Sequence, residues 1–344
     1  MDTKRLGRQT VRFLQPPRLI SGAAIVGDVE GQGPLGSCFD IVLEDDTWGE
    51  ESWEKAERKM FEQAVRIAFE KCAIPVNGVD LLLGGDLLNQ IISANFAARE
   101  LAIPFLGLYG ACSTMAESLL LGSMLIDGGY ASRVACAATS HFSTAERQYR
   151  FPLEMGGQTT PTAQRTVTGA GASLLAAAED NAARYYSRIR IMGGTVGRVV
   201  DLGITDANNM GAAMAPAAAD TLAAHFRETG RSAEDYDLIV TGDLGRFGSE
   251  MLHDLCADKG IALGDRHRDC GNMIFSPQQK VDCGGSGCGC SAVTLNGFLL
   301  RQLEEGNIAR LLFMATGALM SPTAGMQGDS IPGIAHAVVL EREA

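Results

Sequence analysis

The sequence predicts an α/β fold made of two copies of one strand-helix-strand-helix-strand (βαβαβ) half, related by pseudo-twofold symmetry. Three observations carry that prediction. A stretch of the first half recurs in order in the second, the strands are short and wholly apolar, and a cysteine stands between a strand and a buried helix.

Composition sets the outer bounds. The 344 residues exceed a typical single domain, and 46% hydrophobic with 20% charged residues is the balance of a compact soluble protein. Twenty-nine Lys and Arg face 41 Asp and Glu, and the resulting net charge of −12 repels nucleic acid and anionic membrane as a bulk field, so no nucleic-acid partner is expected. No apolar run approaches the roughly 20 residues that cross a bilayer. The N-terminus is basic (Lys4, Arg5, Arg8, Arg12, Arg18), but Arg12 interrupts Val11, Phe13 and Leu14, and Pro16-Pro17 follows, which argues against a signal peptide. That arm reads as a solvated tail rather than a contact with a membrane or an acidic partner. Nine cysteines, an odd number in a long chain without an export signal, read as reduced thiols and not as a disulfide scaffold.

The repeat runs from a helix end through a loop into a strand. Phe69-Glu-Lys-Cys-Ala-Ile-Pro-Val-Asn-Gly-Val-Asp80-Leu-Leu-Leu-Gly-Gly-Asp86-Leu87 returns as Phe226-Arg-Glu-Thr-Gly-Arg-Ser-Ala-Glu-Asp-Tyr-Asp237-Leu-Ile-Val-Thr-Gly-Asp243-Leu244. Ile126 to Thr139 parallels Leu303 to Thr316, each a helix C-terminus, a glycine stop and a strand. Pro161-Thr-Ala163 with a strand from Ala172 echoes Pro322-Thr-Ala324 with a strand from Ala335, and Ile20-Ser-Gly22 echoes Ile191-Met-Gly193. The halves therefore span about 1–187 and 188–344. Strands this apolar are buried on both faces.

Between the matched segments lies Phe105-Leu-Gly-Leu-Tyr-Gly-Ala-Cys112-Ser113, read as a strand and a sharp turn, followed by a helix whose Leu, Met, Ala, Ser and Gly surround most of its circumference. Such a helix is central rather than amphipathic. A cysteine at its first turn sits beside unpaired backbone N–H groups, which favour thiolate and also bind carboxylates. The plainer alternative is that Cys112 is one more small buried residue.

With the duplicated halves and Ala111-Cys112-Ser113 in view, the chain resembles the thiolase superfamily, including the β-ketoacyl synthases. The resemblance implies the thiolase fold, layered α/β/α/β/α, with Cys112 in the pocket. It also implies a base or oxyanion group from the second half, because acyl transfer needs proton transfer and a stabilised oxygen. Where condensing enzymes commonly place a histidine this chain has Thr241-Gly-Asp-Leu244. Asp282-Cys-Gly-Gly-Ser-Gly-Cys-Gly-Cys290 occupies the loop that carries a catalytic His or Asn, and Thr316-Gly-Ala318 the place of a second cysteine.

Of the five histidines, His141 follows the strand Val134 to Ala138, at the end where α/β proteins bind ligands, and is the one taken as a pocket contact. His225 is expected in a polar helical face and His336 in the last strand. Cys283, Cys288 and Cys290, with Cys270, invite a metal reading, but their spacing fits no C-x-x-C knuckle and the intervening glycines fit a close backbone approach, so no metal site is expected.

More closely, Leu82-Leu-Gly-Gly-Asp86-Leu-Leu-Asn89-Gln90, Tyr109-Gly-Ala-Cys112-Ser-Thr-Met-Ala-Glu117 and the Asp282 to Cys290 loop resemble the stage V sporulation protein AD family of endospore formers, as does the opening Gly7-Arg-Gln-Thr-Val-Arg-Phe. That resemblance implies a thiolase-like protein without acyl chemistry that binds dipicolinic acid for uptake into the developing spore. It also implies a peripheral association with the cytoplasmic side of the forespore or spore inner membrane, where other stage V sporulation A membrane proteins are the partners. Dipicolinate is a planar dianion, for which the N–H groups of Cys112 and Ser113 offer a carboxylate site. The family fold implies that Asp86, at its strand end, lies beside Cys112; if it lines the site, a calcium ion bridges it to the ligand, or a water or a protonated pyridine nitrogen takes the contact. Its repeat-equivalent Asp243 would stand in a related position in the other half, a turn or capping role is equally open to both, and Asp86 is the one taken as a site residue because it shares its half with Cys112.

The leading expectation is thus a binding protein with Asp86, Cys112, Ser113 and His141 around dipicolinic acid or calcium dipicolinate, and no cofactor of its own. The alternative is an acyl-transfer or condensing enzyme that uses Cys112 with His141 or His253 as base. A platform for membrane-embedded partners, held through the basic arm, is compatible with the first. Thiolase relatives are commonly dimers, so a homodimer is the assembly to test.

Overall fold

The computed structural model describes residues 3–149 and 160–343. The first half contributes strands β1 (Arg18–Val26), β2 (Leu81–Gly85), β3 (Phe105–Gly107), β4 (Arg133–Ser140) and β5 (Gly169–Ala176). The second contributes β6 (Ile189–Thr195), β7 (Leu238–Thr241), β8 (His267–Asp269), β9 (Arg310–Ala318) and β10 (Gly333–Arg342). Their spatial order is β3-β2-β4-β5-β1 followed by β6-β10-β9-β7-β8, so the second set mirrors the first across the junction.

The directions match as well. β2 is parallel to β3 and β4, β4 antiparallel to β5 and β5 antiparallel to β1; β7 is parallel to β8 and β9, β9 antiparallel to β10 and β10 antiparallel to β6. Among the described residues each set lines up five strands along its main path rather than the three of a bare βαβαβ pattern, and Ile41–Val42 adds a short parallel pairing to β1. The edge strands β3 and β8 are three residues long, too short to announce themselves by periodicity.

The main helices are α1 (Trp53–Lys71), α2 (Ile92–Leu101), α3 (Thr114–Asp127), α4 (Phe142–Tyr149), α5 (Met210–Thr229), α6 (Gly245–Ala257) and α7 (Cys288–Val293). A π-helical stretch (Thr294–Leu299) leads α7 into α8 (Leu300–Glu305). Alternation along the strands sets the layers, because successive side chains point to opposite faces. Leu82 packs outward with Met60, Phe61 and Ala97 of α1 and α2, whereas Leu83 packs inward with Met115 and Leu119 of α3. In the second sheet Leu312 and Met314 face α5 and α6, and Leu311 and Phe313 face the central layer of α3, α7 and α8. The order is helix, sheet, helix, sheet, helix.

The central helices need small strand residues beneath them. At Gly171 in β5 a Cβ would stand 2.4 Å from the Ala292 backbone of α7. Largely buried and mostly apolar, α3 packs against both sheets, so it fixes how the halves meet, and the residue at its first turn is held at that meeting place.

The basic arm is not a solvated tail. Thr10–Arg12 pairs antiparallel with β6, filling a seam where β1 and β6 otherwise share only the pair Arg18 and Arg190. Glu228 of α5 accepts from the N–H groups of Gln9 and Thr10 at 3.0 and 2.8 Å. At the end of α3, Asp127 accepts from Leu14 and Gln15 N–H and pairs with Lys4 at 2.9 Å. Arg18 is buried against Glu343. Among the described residues no helix is long and apolar enough to cross a membrane.

Candidate functional site

Cys112 lies in a 3-10 turn, Ala111–Ser113, that opens α3. Ala111 adopts φ +49°, a left-handed conformation that non-glycine residues rarely take and that costs about 1–3 kcal/mol when the surroundings impose it. The turn is stitched from within. Ser113 donates its N–H and its hydroxyl to Gly110 O at 3.0 and 2.7 Å, and the Thr114 hydroxyl donates to Ala111 O at 2.7 Å. Such a turn aims Cys112 away from its own helix and toward the second half.

The neighbour found there is Asp243, at the end of β7. Its carboxylate accepts the Thr316 hydroxyl at 2.7 Å, the Gly287 N–H at 3.0 Å and the Cys112 thiol. Gly287 has φ +96°, and a Cβ there would lie 2.7 Å from Ser140 Oγ, so glycine is required where the second-half loop crosses the first-half strand end. Burial pushes the Asp243 carboxyl up to about 7 against the pull of those hydrogen bonds.

The Cys112 thiol is pushed well above its ordinary value, first by burial, then by the charge of Asp243 and then by Cys288. The expected thiolate at a helix N-terminus is therefore corrected. Desolvation and an adjacent carboxylate outweigh the helix dipole, which acts here through a single 3-10 turn.

Cys112 faces a chamber of about 30 Å³, the room of one water, walled by Leu87, Tyr109, Glu146, Tyr149, Thr166, Met210, Ser286 and Met320 among others. A second chamber of about 410 Å³ lies outside it, lined by Gln148, Thr205, Ser321, Asp329 and Ser330, and shares Tyr149 and Met320 with the first. Among the described residues, no histidine, lysine or arginine lines either chamber.

The other predicted site residues do not line these chambers. Asp86 is fully buried and spends its carboxylate on the backbone, Oδ1 accepting from Leu88 N–H at 2.8 Å and Oδ2 from Ala94 N–H at 2.7 Å. It caps the β2 to α2 connection, and burial raises its carboxyl to about 6. Ser113 turns both its donors back on Gly110 O, which removes the proposed pair of N–H groups for a carboxylate.

His141 is buried with both ring nitrogens engaged, Nε2 with Asp46 O at 2.6 Å and Nδ1 with Ser143 N–H at 3.2 Å; it fastens a surface loop to α4. His253 belongs to a different cleft, beside β8, where its Nε2 is 3.1 Å from His267 Nδ1. His225 is not on a polar face but buried between the Thr195 and Tyr236 hydroxyls at 2.7 and 2.6 Å. Cys288 donates to Thr139 O at 2.8 Å, which ties the second half to the first through a backbone oxygen, and Cys290 donates to Gly242 O at 3.4 Å within the second half.

Sequence reasoning missed Asp243, Tyr109, Tyr149 and Met320. Only Asp243 carried a signal, the repeated Gly-Asp-Leu. Tyr149 and Met320 enter through tertiary packing alone.

The family model for stage V sporulation protein AD matches residues 7–341. Stage V sporulation protein AD of Bacillus subtilis (strain 168) is 48% identical over 339 residues, 98% of each chain. Among solved structures, cerulenin-bound Xanthomonas campestris OleA aligns with a TM-score of 0.63 at 15% identity, over 98% of this chain and 99% of that one. Human mitochondrial 3-ketoacyl-CoA thiolase follows at 0.59 and 13%, over 96% of this chain and 100% of that one. The 3-oxoacyl-[acyl-carrier-protein] synthase III of Aquifex aeolicus VF5 gives 0.57 and 14%, over 94% and 99%. At such identities these likenesses establish the fold and not the chemistry. The chain is a member of the stage V sporulation protein AD family, built on the thiolase fold.

Proposed function

We propose that this protein is a receptor that binds dipicolinic acid, alone or as its calcium complex, at the Cys112 site for uptake into the developing spore, and does not turn it over. One observation carries the reading: among the described residues, the charged group hydrogen-bonded to the thiol is a carboxylate, Asp243, which opposes the thiolate that acyl transfer needs. Tyrosine rings, hydroxyls and the thioether of Met320 around the two chambers suit a flat aromatic acid. Among the described residues the chambers offer no cation, so the dianion would enter with its charge offset, and calcium, with its preference for oxygen ligands, fits that need. The stage V sporulation A membrane proteins would then be the partners that hold the chain at the forespore inner membrane.

Calorimetric titration of dipicolinate, with and without calcium, into the protein and its Cys112→Ala form tests this. Saturable binding that weakens in the variant supports the reading. No binding to either form overturns it. Intact mass after incubation with an acyl-coenzyme A is expected to stay unchanged; an acyl adduct on Cys112 would favour the acyl-transfer alternative.

A further inference from the structure

Leu87 O, the carbonyl that follows Asp86, accepts two hydrogen bonds from the last turn of α4, one from the Tyr149 hydroxyl and one from Gln148 Nε2 at 3.1 Å. Because the Tyr149 proton is committed to that carbonyl, the 2.9 Å contact between the two tyrosine hydroxyls has Tyr109 as donor and Tyr149 as acceptor. Gln148 Oε1 in turn accepts from Asn89 N–H at 2.9 Å. The Tyr149 ring is therefore pinned at its tip to the turn 86–89, while its flanks form part of both chambers together with Met320. What fixes the turn is Asp86, through Leu88 and Ala94 N–H. On α1, Glu57 lies close enough for the charge of Asp86 to raise its carboxyl, and it takes the Thr144 hydroxyl of α4 at 2.8 Å, so α4 is tied to the same corner twice.

We propose that Tyr149 is the residue that separates the outer chamber from the Cys112 chamber and so sets which molecules reach the thiol, and that Asp86 is its positioning residue, acting through the Leu87 carbonyl without touching the ligand. An Asp86 substitution then disturbs the site at one remove. The inner chamber, at about 30 Å³, admits a water-sized group only, and a larger ligand rests in the outer chamber of about 410 Å³ unless Tyr149 and Met320 give way. The inference rests on the Cys112 chamber being the ligand site, but thiol access is measured without ligand, so the two readings fail separately.

The test is the rate at which iodoacetamide labels Cys112 in the full chain, followed on the Cys112 peptide by mass spectrometry. Tyr149→Phe keeps the ring and loses the tie, and is expected to label about fivefold faster, the worth of one modest hydrogen bond. Asp86→Asn is expected to move the rate the same way, and the double variant to add little to the larger single effect, since both act on one contact. The pH midpoint of labelling stays where it is in all three, because access changes and thiol acidity does not. Where Asp86→Asn folds poorly, Tyr149→Phe against Tyr149→Ala carries the measurement, with the second expected to label faster still. Unchanged rates in Tyr149→Phe and Tyr149→Ala, or effects of Asp86→Asn and Tyr149→Phe that multiply independently, would overturn the proposal.

Discussion

Asp86 and Asp243 occupy the same place in the two halves, the middle of a Gly-Asp-Leu that leaves a parallel strand, yet they do different work. In the first half Asp86 bends back on its own chain and takes Leu88 and Ala94 N–H. In the second half that duty falls on Asp269 of β8, which accepts from Leu244 and Gly245 N–H at 2.9 Å each and is steadied by the Thr241 hydroxyl at 2.6 Å. Relieved of its own turn, Asp243 takes the Gly287 N–H and the Thr316 hydroxyl of its own half and reaches across the interface to Cys112. Duplication copied the backbone position. A residue on the neighbouring strand, Asp269 opposite Thr241, decided the chemistry.

The largest effects should come from breaking the two caps. Asp86→Ala and Asp269→Ala each leave two buried N–H groups without an acceptor, and each is expected to cost about 2–4 kcal/mol in urea unfolding. A loss below about 1 kcal/mol in either would mean that the backbone finds other partners and that the comparison is misdrawn.

Asp243→Asn sharpens the contrast. Removing the charge beside Cys112 should lower the thiol's pKa and speed its alkylation at neutral pH about tenfold for each pKa unit recovered, whereas Asp86→Asn leaves that midpoint alone. The same variant should alter the dependence of stability on pH. A free aspartate ionises near 3.9, but Asp243 does so at about 7 in the fold, so the folded chain holds one proton that the unfolded chain has lost across that window. Its contribution is fully present below about pH 4 and fades as pH rises through about 7; Asp243→Asn should therefore flatten the decline. An unaltered slope between those limits would show that the carboxyl ionises normally.

The smallest effect is expected at the seam. Lys4→Ala should change stability by less than about 1 kcal/mol, because its ion pair with Asp127 is half exposed on the lysine side. Asp127→Ala should cost more, since Leu14 and Gln15 N–H lose their acceptor.

Much of this molecule is legible in its sequence. The order of the Phe69 to Leu87 repeat carries the duplication, and the apolar circumference of the helix after Cys112 carries its central place. What the sequence hides is direction. Asp86 was assigned to the pocket because it shares a half with Cys112, but the turn at Ala111 points the thiol at the other half. Whether an aspartate after a strand faces its own helix or the partner half depends on whether a residue like Asp269 has taken the cap, and that residue lies 26 positions further on, in a strand three residues long. His141 shows the same limit: its place at a strand end is real, and the Asp46 carbonyl that claims its ring is not visible from it.

On the receptor reading, Cys112 is a protonated thiol held by Asp243 in a site that binds and does not react. The most direct check is the pH profile of Cys112 alkylation in the unmodified protein. We expect slow labelling at neutral pH and a midpoint above that of a free cysteine, near 8.5. A midpoint below it, with rapid labelling at pH 7, would mean an activated nucleophile and would contradict the receptor reading.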